Sequence, residues 1–447
     1  MNCSCGFFGQ VIRWAVMAVS LGAVGTVYAQ ANEQYFPIVA FRTGPVVALS
    51  TSLLGGFIDY LDLLNKRDGG INGVKLAWEE CETEYKVDRG IECYERLKNK
   101  GPGGAPLFLP VITGIIYSAI ERSGVDKIPL VSMGTGRTDS ADGRVFPYVF
   151  ALATHYWSGN TAKIRFIGQR EGGMDKLKGK KIVNLYHGSA YGKETIPVLD
   201  AQAKKYGFEL VHIEVTPPGA EQQSQWLQIR RLSPDWVILR SAGIMTPAAL
   251  KSAQRVGYPV DRIIGVWWAG SEEDVIPAGD AAKGFIADTI YPSGRDFPVV
   301  QEILKRLYGG GSRGNMDDPK RIGSAGYNAG VLHAILTTEA VRTAQEKFGK
   351  KAMGREQVRW GLEHLNIDEA RLKKLGAGGL LQPIKTSCSD HEGGGAVKFQ
   401  QWDGHKWVVI SDWVPGDQAI VRPMVEESAA KYAKEKGIAP RDCSKES

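Results

Sequence analysis

Within the run His187-Gly188-Ser189-Ala190-Tyr191-Gly192, an imidazole, a hydroxyl and a phenol stand close together. A serine beside a histidine is the raw material of acyl transfer. The strained turn that exposes such a nucleophile needs G-x-S-x-G, however, and Ser189 does not sit in that frame. His155, His187 and His212 lack metal-ligand spacing, and the cysteines form no C-x-x-C. Gly134-Thr135-Gly136 lacks the third glycine of a dinucleotide fingerprint, and no phosphate-binding P-loop occurs. The expectation is a protein that binds rather than reacts: no enzyme, no cofactor, no metal.

Binding chemistry is better represented. Arg42-Thr43-Gly44-Pro45, Thr113-Gly114, Gly134-Thr135-Gly136, 187–192, 241–243 and Trp267-Trp268 each follow an apolar run and carry hydroxyls, glycines or aromatics. A helix N-terminus presents free N–H groups that suit a carboxylate or another acceptor. Tyr156, Trp157, Tyr191, Trp267 and Trp268 cluster near these loops, and aromatics with one polar handle suit the wall of a small-molecule cleft.

Those loops need elements to hold them. The stretch 35–41 reads as a buried strand, 42–48 as a loop and 49–66 as a helix stopped by Asp68-Gly69-Gly70. After the Asn72-Gly73 turn a second strand starts at Val74, which completes a βαβ unit. The alternation continues with a helix over 87–98, a strand at 106–110, a helix to Glu121 and a strand at 128–132. A second series carries strands at 181–186, 208–215, 236–239 and 262–266, with helices at 194–206, 222–232 and 246–256. Two such series predict an α/β fold of two doubly wound parallel-sheet lobes. Helices are expected at 299–308, 324–348 and 356–364, and a hairpin at Asp403-Gly404.

At 447 residues the chain exceeds one domain of about 100–200 residues. Its net charge of +6 comes from 55 basic and 49 acidic residues that are intermixed, which argues against nucleic acid as a partner. Arg13 precedes an apolar run over 14–29 that ends in Val27-Tyr28-Ala29, the form of a signal peptide cleaved after Ala29. No later segment reads as a membrane span. Cys3 and Cys5 fall in the signal segment, leaving Cys81, Cys93, Cys388 and Cys443. In an exported chain these predict two disulfides, Cys81–Cys93 and Cys388–Cys443.

YFPIVAFRTGP, GGINGVKL, THYW, NLYHGSAYGKE and VTPPGAEQQSQW together resemble the periplasmic solute-binding proteins of ABC transporters, branched-chain amino acid type, with the type I fold. The resemblance spans nearly all of the chain after the signal segment. It implies lobe 1 over 30–152 with 289–375, and lobe 2 over 153–288 with 376–447. It also implies three crossover strands, near 147–153, 284–291 and 376–386. The implied function is capture of a small solute and delivery to a membrane permease by a periplasmic monomer; a ligand sensor of the same fold is the alternative. The ligand's carboxylate side falls on Thr113, Gly114, Gly134 and Thr135, and the second-lobe tyrosine on Tyr191. The family's amine-binding tyrosine and glutamate fall near Ala242 and Trp268, where neither type is present, and Glu272 lies several residues further on. With Arg42 on the first loop and Tyr156 among the aromatics, the expected ligand is an organic acid, an amide or an amino-acid derivative.

Overall fold

The computed structural model describes residues 33–311 and 313–445. The expected signal segment, with Cys3 and Cys5, lies outside the described residues. The described residues open with β1 (Glu33–Ala40), the helix Val47–Asp68 and β2 (Lys75–Glu82), and β1 pairs in parallel with β2. Gly69, at φ 67°, ends the helix in the left-handed region, where a glycine carries no Cβ penalty. Asn65 then fastens the turn, since its side chain donates to Leu76 O and accepts from Leu76 N, both at 2.9 Å.

The acids at the end of β2 hold the neighbouring loop. Glu80 pairs with the Arg42 guanidinium at 2.7 Å, and Glu82 accepts from Arg42 N at 2.8 Å and from the Thr43 hydroxyl at 3.1 Å. They pin the loop that follows β1.

The stretch 106–110 is not a full strand. Only Phe108 bridges, in parallel, to Leu130. Pro106 and Pro110 remove donors at both ends, so the ladder cannot extend. Phe108 stands beside β3 (Leu130–Val131), which pairs in parallel with β4 (Val149–Phe150). The helix Thr113–Asp126 connects Phe108 to β3.

The second sheet is larger. It is built from β5 (Lys181–His187), β6 (Glu209–Val215), β7 (Trp236–Arg240), β8 (Ile263–Gly265), β9 (Ile286–Thr289), β12 (Ala396–Trp402), β13 (Trp407–Val409) and β14 (Val414–Pro415). Its order is β13-β12-β9-β8-β7-β5-β6, with β14 on β12. Strands β5 to β9 are mutually parallel, while β12 and β13 join antiparallel. The order reverses between β5 and β7, and ligands of open α/β sheets collect outside such a reversal.

Two further strands, β10 (Asn366–Ile367) and β11 (Ile384–Lys385), pair with each other. β11 lies at the end of the expected third crossing, near 376–386, where Gln382 Nε2 donates to Ala153 O and Ala396 O, each at 3.1 Å. The chain then enters β12 of the large sheet through 393–396. There Ala153 N donates to Glu392 O at 2.9 Å and Gly395 N to Ala153 O at 2.7 Å.

The helix Val47–Asp68 is long and apolar enough to cross a membrane by length and composition, which corrects the expectation that no segment after the signal run was. In the fold it is a core helix packed on Ala325–Phe348. The helices Glu369–Leu375 and Gln418–Lys436 went unrecognised in the sequence.

Both disulfides form as expected, with Cα separations of 5.6 Å for Cys81–Cys93 and 5.7 Å for Cys388–Cys443. Cross-linking loops of this kind stabilises chiefly by restricting the unfolded chain, by about 2–4 kcal/mol each. The second works with an ion cluster around buried Glu363, which accepts from Arg441 at 2.7 Å and Arg359 at 3.2 Å. Burial works to raise the Glu363 pKa. Hydrogen bonds from His391 and Arg441, and the Arg359 charge, outweigh it and hold the carboxyl at about 2. Because the folded value lies below the unfolded one, the contribution is complete above about pH 4.5 and fades as pH falls toward 2. Glu363→Gln should lower unfolding free energy by about 2 kcal/mol at pH 7. Urea titrations at pH 3 should show a gap less than half as large.

Candidate functional site

The two halves meet closely over a cavity of only about 30 Å³. Strand ends supply its walls. From the first half come Phe41 and Val46 after β1, Tyr85 after β2, Val111 and Thr113 after Phe108, and Thr135 after β3. From the second come Tyr156 at the start of the helix Tyr156–Arg170, Tyr191 after β5, Ala242 after β7 and Trp268 after β8. The helix Val47–Asp68 adds Leu49.

Of the residues singled out in the sequence, Thr113, Thr135, Tyr156, Tyr191, Ala242 and Trp268 stand together on this lining. Arg42 does not, because its guanidinium is turned to Glu80. Gly114 lies behind Thr113 in the first turn of the helix Thr113–Asp126. Gly134 contributes its carbonyl, which accepts from Trp267 Nε1 at 2.9 Å and from Trp268 Nε1 at 2.7 Å. Glu272 is also outside the lining. Its carboxylate accepts from Ser293 and from Ala325 N, and burial together with Glu273 pushes it up to about 7.

Sequence reasoning missed Phe41, Val46, Leu49, Tyr85 and Val111. Tyr85 enters the cavity on a backbone with φ near 61°, a bend that follows Glu84 at φ 52°. Nothing in the residue types announces that bend. The signal for Phe41 and Val111 was available, since Phe41 ends one apolar run and Val111 directly follows another.

The hydroxyls are oriented. Trp268 Nε1 donates to Tyr156 Oη at 3.0 Å, which leaves the Tyr156 proton to donate elsewhere. Gly136 N donates to Thr113 Oγ1 at 3.3 Å, and the Thr113 hydroxyl is hydrogen-bonded to Tyr156. Tyr191 donates to Ser241 O at 2.9 Å and presents its ring to the cavity. Tyr156 lies stacked on Trp267, with centroids 5.2 Å apart and planes 12° apart. Burial pushes the Tyr85 phenol up to about 12 and those of Tyr156 and Tyr191 higher still, so all three stay protonated at neutral pH.

The halves are also tied beside the cavity. Glu194, from the second, accepts from Tyr117 Oη and, at 2.6 Å, from Thr138 N of the first. A wider surface groove beside Cys388–Cys443, lined by Lys347, Trp360 and His364, lies away from the strand ends. Among the described residues no group of three or more His, Cys, Asp or Glu is placed to hold a metal ion. The lining offers donors and aromatic faces, with no nucleophile held by a base.

A family model described as periplasmic binding protein matches residues 33–406. A solved structure described as an ABC transporter permease from the Pseudomonas fluorescens group is 51% identical, covering 92% of this chain and 100% of that one, with a TM-score of 0.87. A branched chain amino acid ABC transporter from Thermus thermophilus with bound valine is 22% identical, covering 88% and 99%, with a TM-score of 0.73. A solute binding protein from R. palustris in complex with benzoate is 18% identical, covering 86% and 97%, with a TM-score of 0.66. The last two are likenesses of fold. No curated protein sequence matches the chain.

Proposed function

The chain belongs to the periplasmic binding protein family, and from that premise we propose that it is the exported solute-binding component of an ABC transporter. It captures an amino acid, an amino-acid derivative, an amide or an organic acid between its lobes and hands it to a membrane permease. Lobe 1 is taken as 30–152 with 289–375, and lobe 2 as 153–288 with the remainder. The segment 1–29 is read as the signal that sends the chain to the periplasm.

One observation carries this reading: a single cavity is walled by strand-end loops of both halves. A solute that touches both lobes favours the closed arrangement, because only differential contact shifts a conformational equilibrium. Thr113, with the N–H groups of Thr113 and Gly114 at a helix start, faces the polar end of the solute; Thr135 stands beside it. Tyr156, Tyr191 and Trp268 stack on its body, and Ala242 leaves room. Gly134 acts through its carbonyl, which joins the lobes. Proteins of like fold hold valine in one case and benzoate in another, consistent with a site that changes its ligand by changing its lining.

Calorimetry against amino acids, amides and aromatic acids tests the reading. The expected result is one solute bound at micromolar strength, about −8 kcal/mol. Tyr191→Ala should weaken that binding at least tenfold, with the melting temperature little changed. Unchanged affinity in this variant would take Tyr191 out of the site.

A further inference from the structure

No charged side chain lines the capture cavity, yet buried charge stands directly behind its aromatic wall. Arg240, at the end of β7, is 2% exposed. Its Nε and Nη2 donate to Tyr191 O at 3.2 and 3.0 Å. Its guanidinium carbon lies 3.7 Å from the Tyr156 ring centroid and 4.6 Å from that of Tyr191. Lys163 and Asp288 form a buried pair at 3.1 Å within the field of Arg240. That pair sums to zero whether it is ionised or has shared its proton, so Arg240 leaves one net positive charge behind the rings.

The neighbouring carboxylates are committed elsewhere. Asp274 accepts from the Thr246 hydroxyl at 2.8 Å, and burial drives its carboxyl well above the usual range. Glu194 accepts from Tyr117 and from Thr138 N, and Glu272 from Ser293 and Ala325 N. An ammonium in this cavity would find neutral oxygens and a cation behind the wall, and a buried charge without a partner is strongly unfavourable. A carboxylate would find the proton of Tyr156, whose oxygen takes hydrogen bonds from Trp268 and Thr113. The cation that draws on the outer faces of the two tyrosines adds a positive potential across the wall.

We infer that the cavity selects a carboxylate that carries no ammonium, an aryl- or alkyl-carboxylic acid, with Arg240 as the positioning residue that sets this charge preference through Tyr156 and Tyr191. The inference rests on the capture reading and narrows it.

The test uses two matched series by calorimetry: 3-phenylpropanoate, its amide and phenylalanine, and 4-methylpentanoate, its amide and leucine. In at least one series the acid should bind at least tenfold tighter than both the amide and the amino acid. Arg240→Met should lower acid affinity at least tenfold and amide affinity less than threefold, and Arg240→Lys should recover most of the loss. A purely structural role would weaken acid and amide alike, and that result would overturn the role of Arg240. Where Arg240→Met does not fold, the ranking in the natural protein still decides. An amino acid that binds as tightly as its acid overturns the charge rule and leaves capture standing. If no member of either series binds, the charge rule falls. Capture is then judged separately, by whether Tyr191→Ala strips the solute that copurifies with the natural protein.

Discussion

Replacing Trp268 by alanine is expected to lower solute affinity about a hundredfold, roughly 2.7 kcal/mol. The residue combines two roles in one side chain. Its ring forms part of the cavity wall, and its indole N–H reaches Gly134 O in the other half and Tyr156 Oη in its own. Buried aromatics at the centre of a contact carry more of the binding energy than their neighbours. Trp268 is also 5% exposed, so the alanine variant loses stability as well. Trp268→Phe separates the two effects: it keeps most of the ring area and removes the donor, leaving Gly134 O with Trp267 Nε1 alone. Its affinity should fall about tenfold, between the natural protein and the alanine variant. Calorimetry on both variants, after folding is checked by circular dichroism, gives the order. Equal affinity in all three would mean that Trp268 neither contacts the solute nor links the halves.

A comparable effect on stability is expected far from the cavity. The helices Val47–Asp68 and Ala325–Phe348 approach so closely that a Cβ on Gly330 would lie 1.9 Å from Leu53 O and 2.7 Å from Phe57 N. A Cβ on Gly56 would lie 2.1 Å from Tyr327 O. These neighbours are backbone atoms, which cannot turn aside as a flexible side chain can. Gly330→Val should therefore force the helices apart and cost about 3 kcal/mol or more in urea unfolding. Gly124→Ala is the control. It lies within the helix Thr113–Asp126, and a Cβ there would meet nothing within 4 Å. That change should be neutral or stabilise by up to about 1 kcal/mol. The contrast matters for function because the Gly330 contact holds up the helix that brings Leu49 to the cavity wall.

The alternation of strands and helices was legible because buried parallel strands read as short apolar runs and amphipathic helices as 3.6-residue spacing. It failed where another constraint won. Pro106 and Pro110 shortened an expected strand to the bridge at Phe108. Pro423 inside Gln418–Lys436 masked a helix whose buried side, Val421, Val425, Ala429 and Tyr432, has clear helical spacing. The strand-end rule located Thr113, Thr135, Tyr191 and Trp268 because loop position follows from topology alone. It misjudged Arg42, whose partner Glu80 is 38 residues away in sequence and adjacent only through the parallel pairing of β1 with β2. It missed Tyr85, which depends on a backbone bend, and Arg240, which directly follows the strand read at 236–239 and lies behind two rings.

The central claim is that the two halves close on a small solute held between facing strand ends. Its most direct test is the distance between spin labels on cysteines introduced at Val125, 84% exposed in the first half, and Ile276, 62% exposed in the second. With saturating solute the distance distribution should shift and narrow to one population, and Trp268→Ala should return it to the unliganded form. A distribution that stays the same when calorimetry shows the solute bound would contradict the claim.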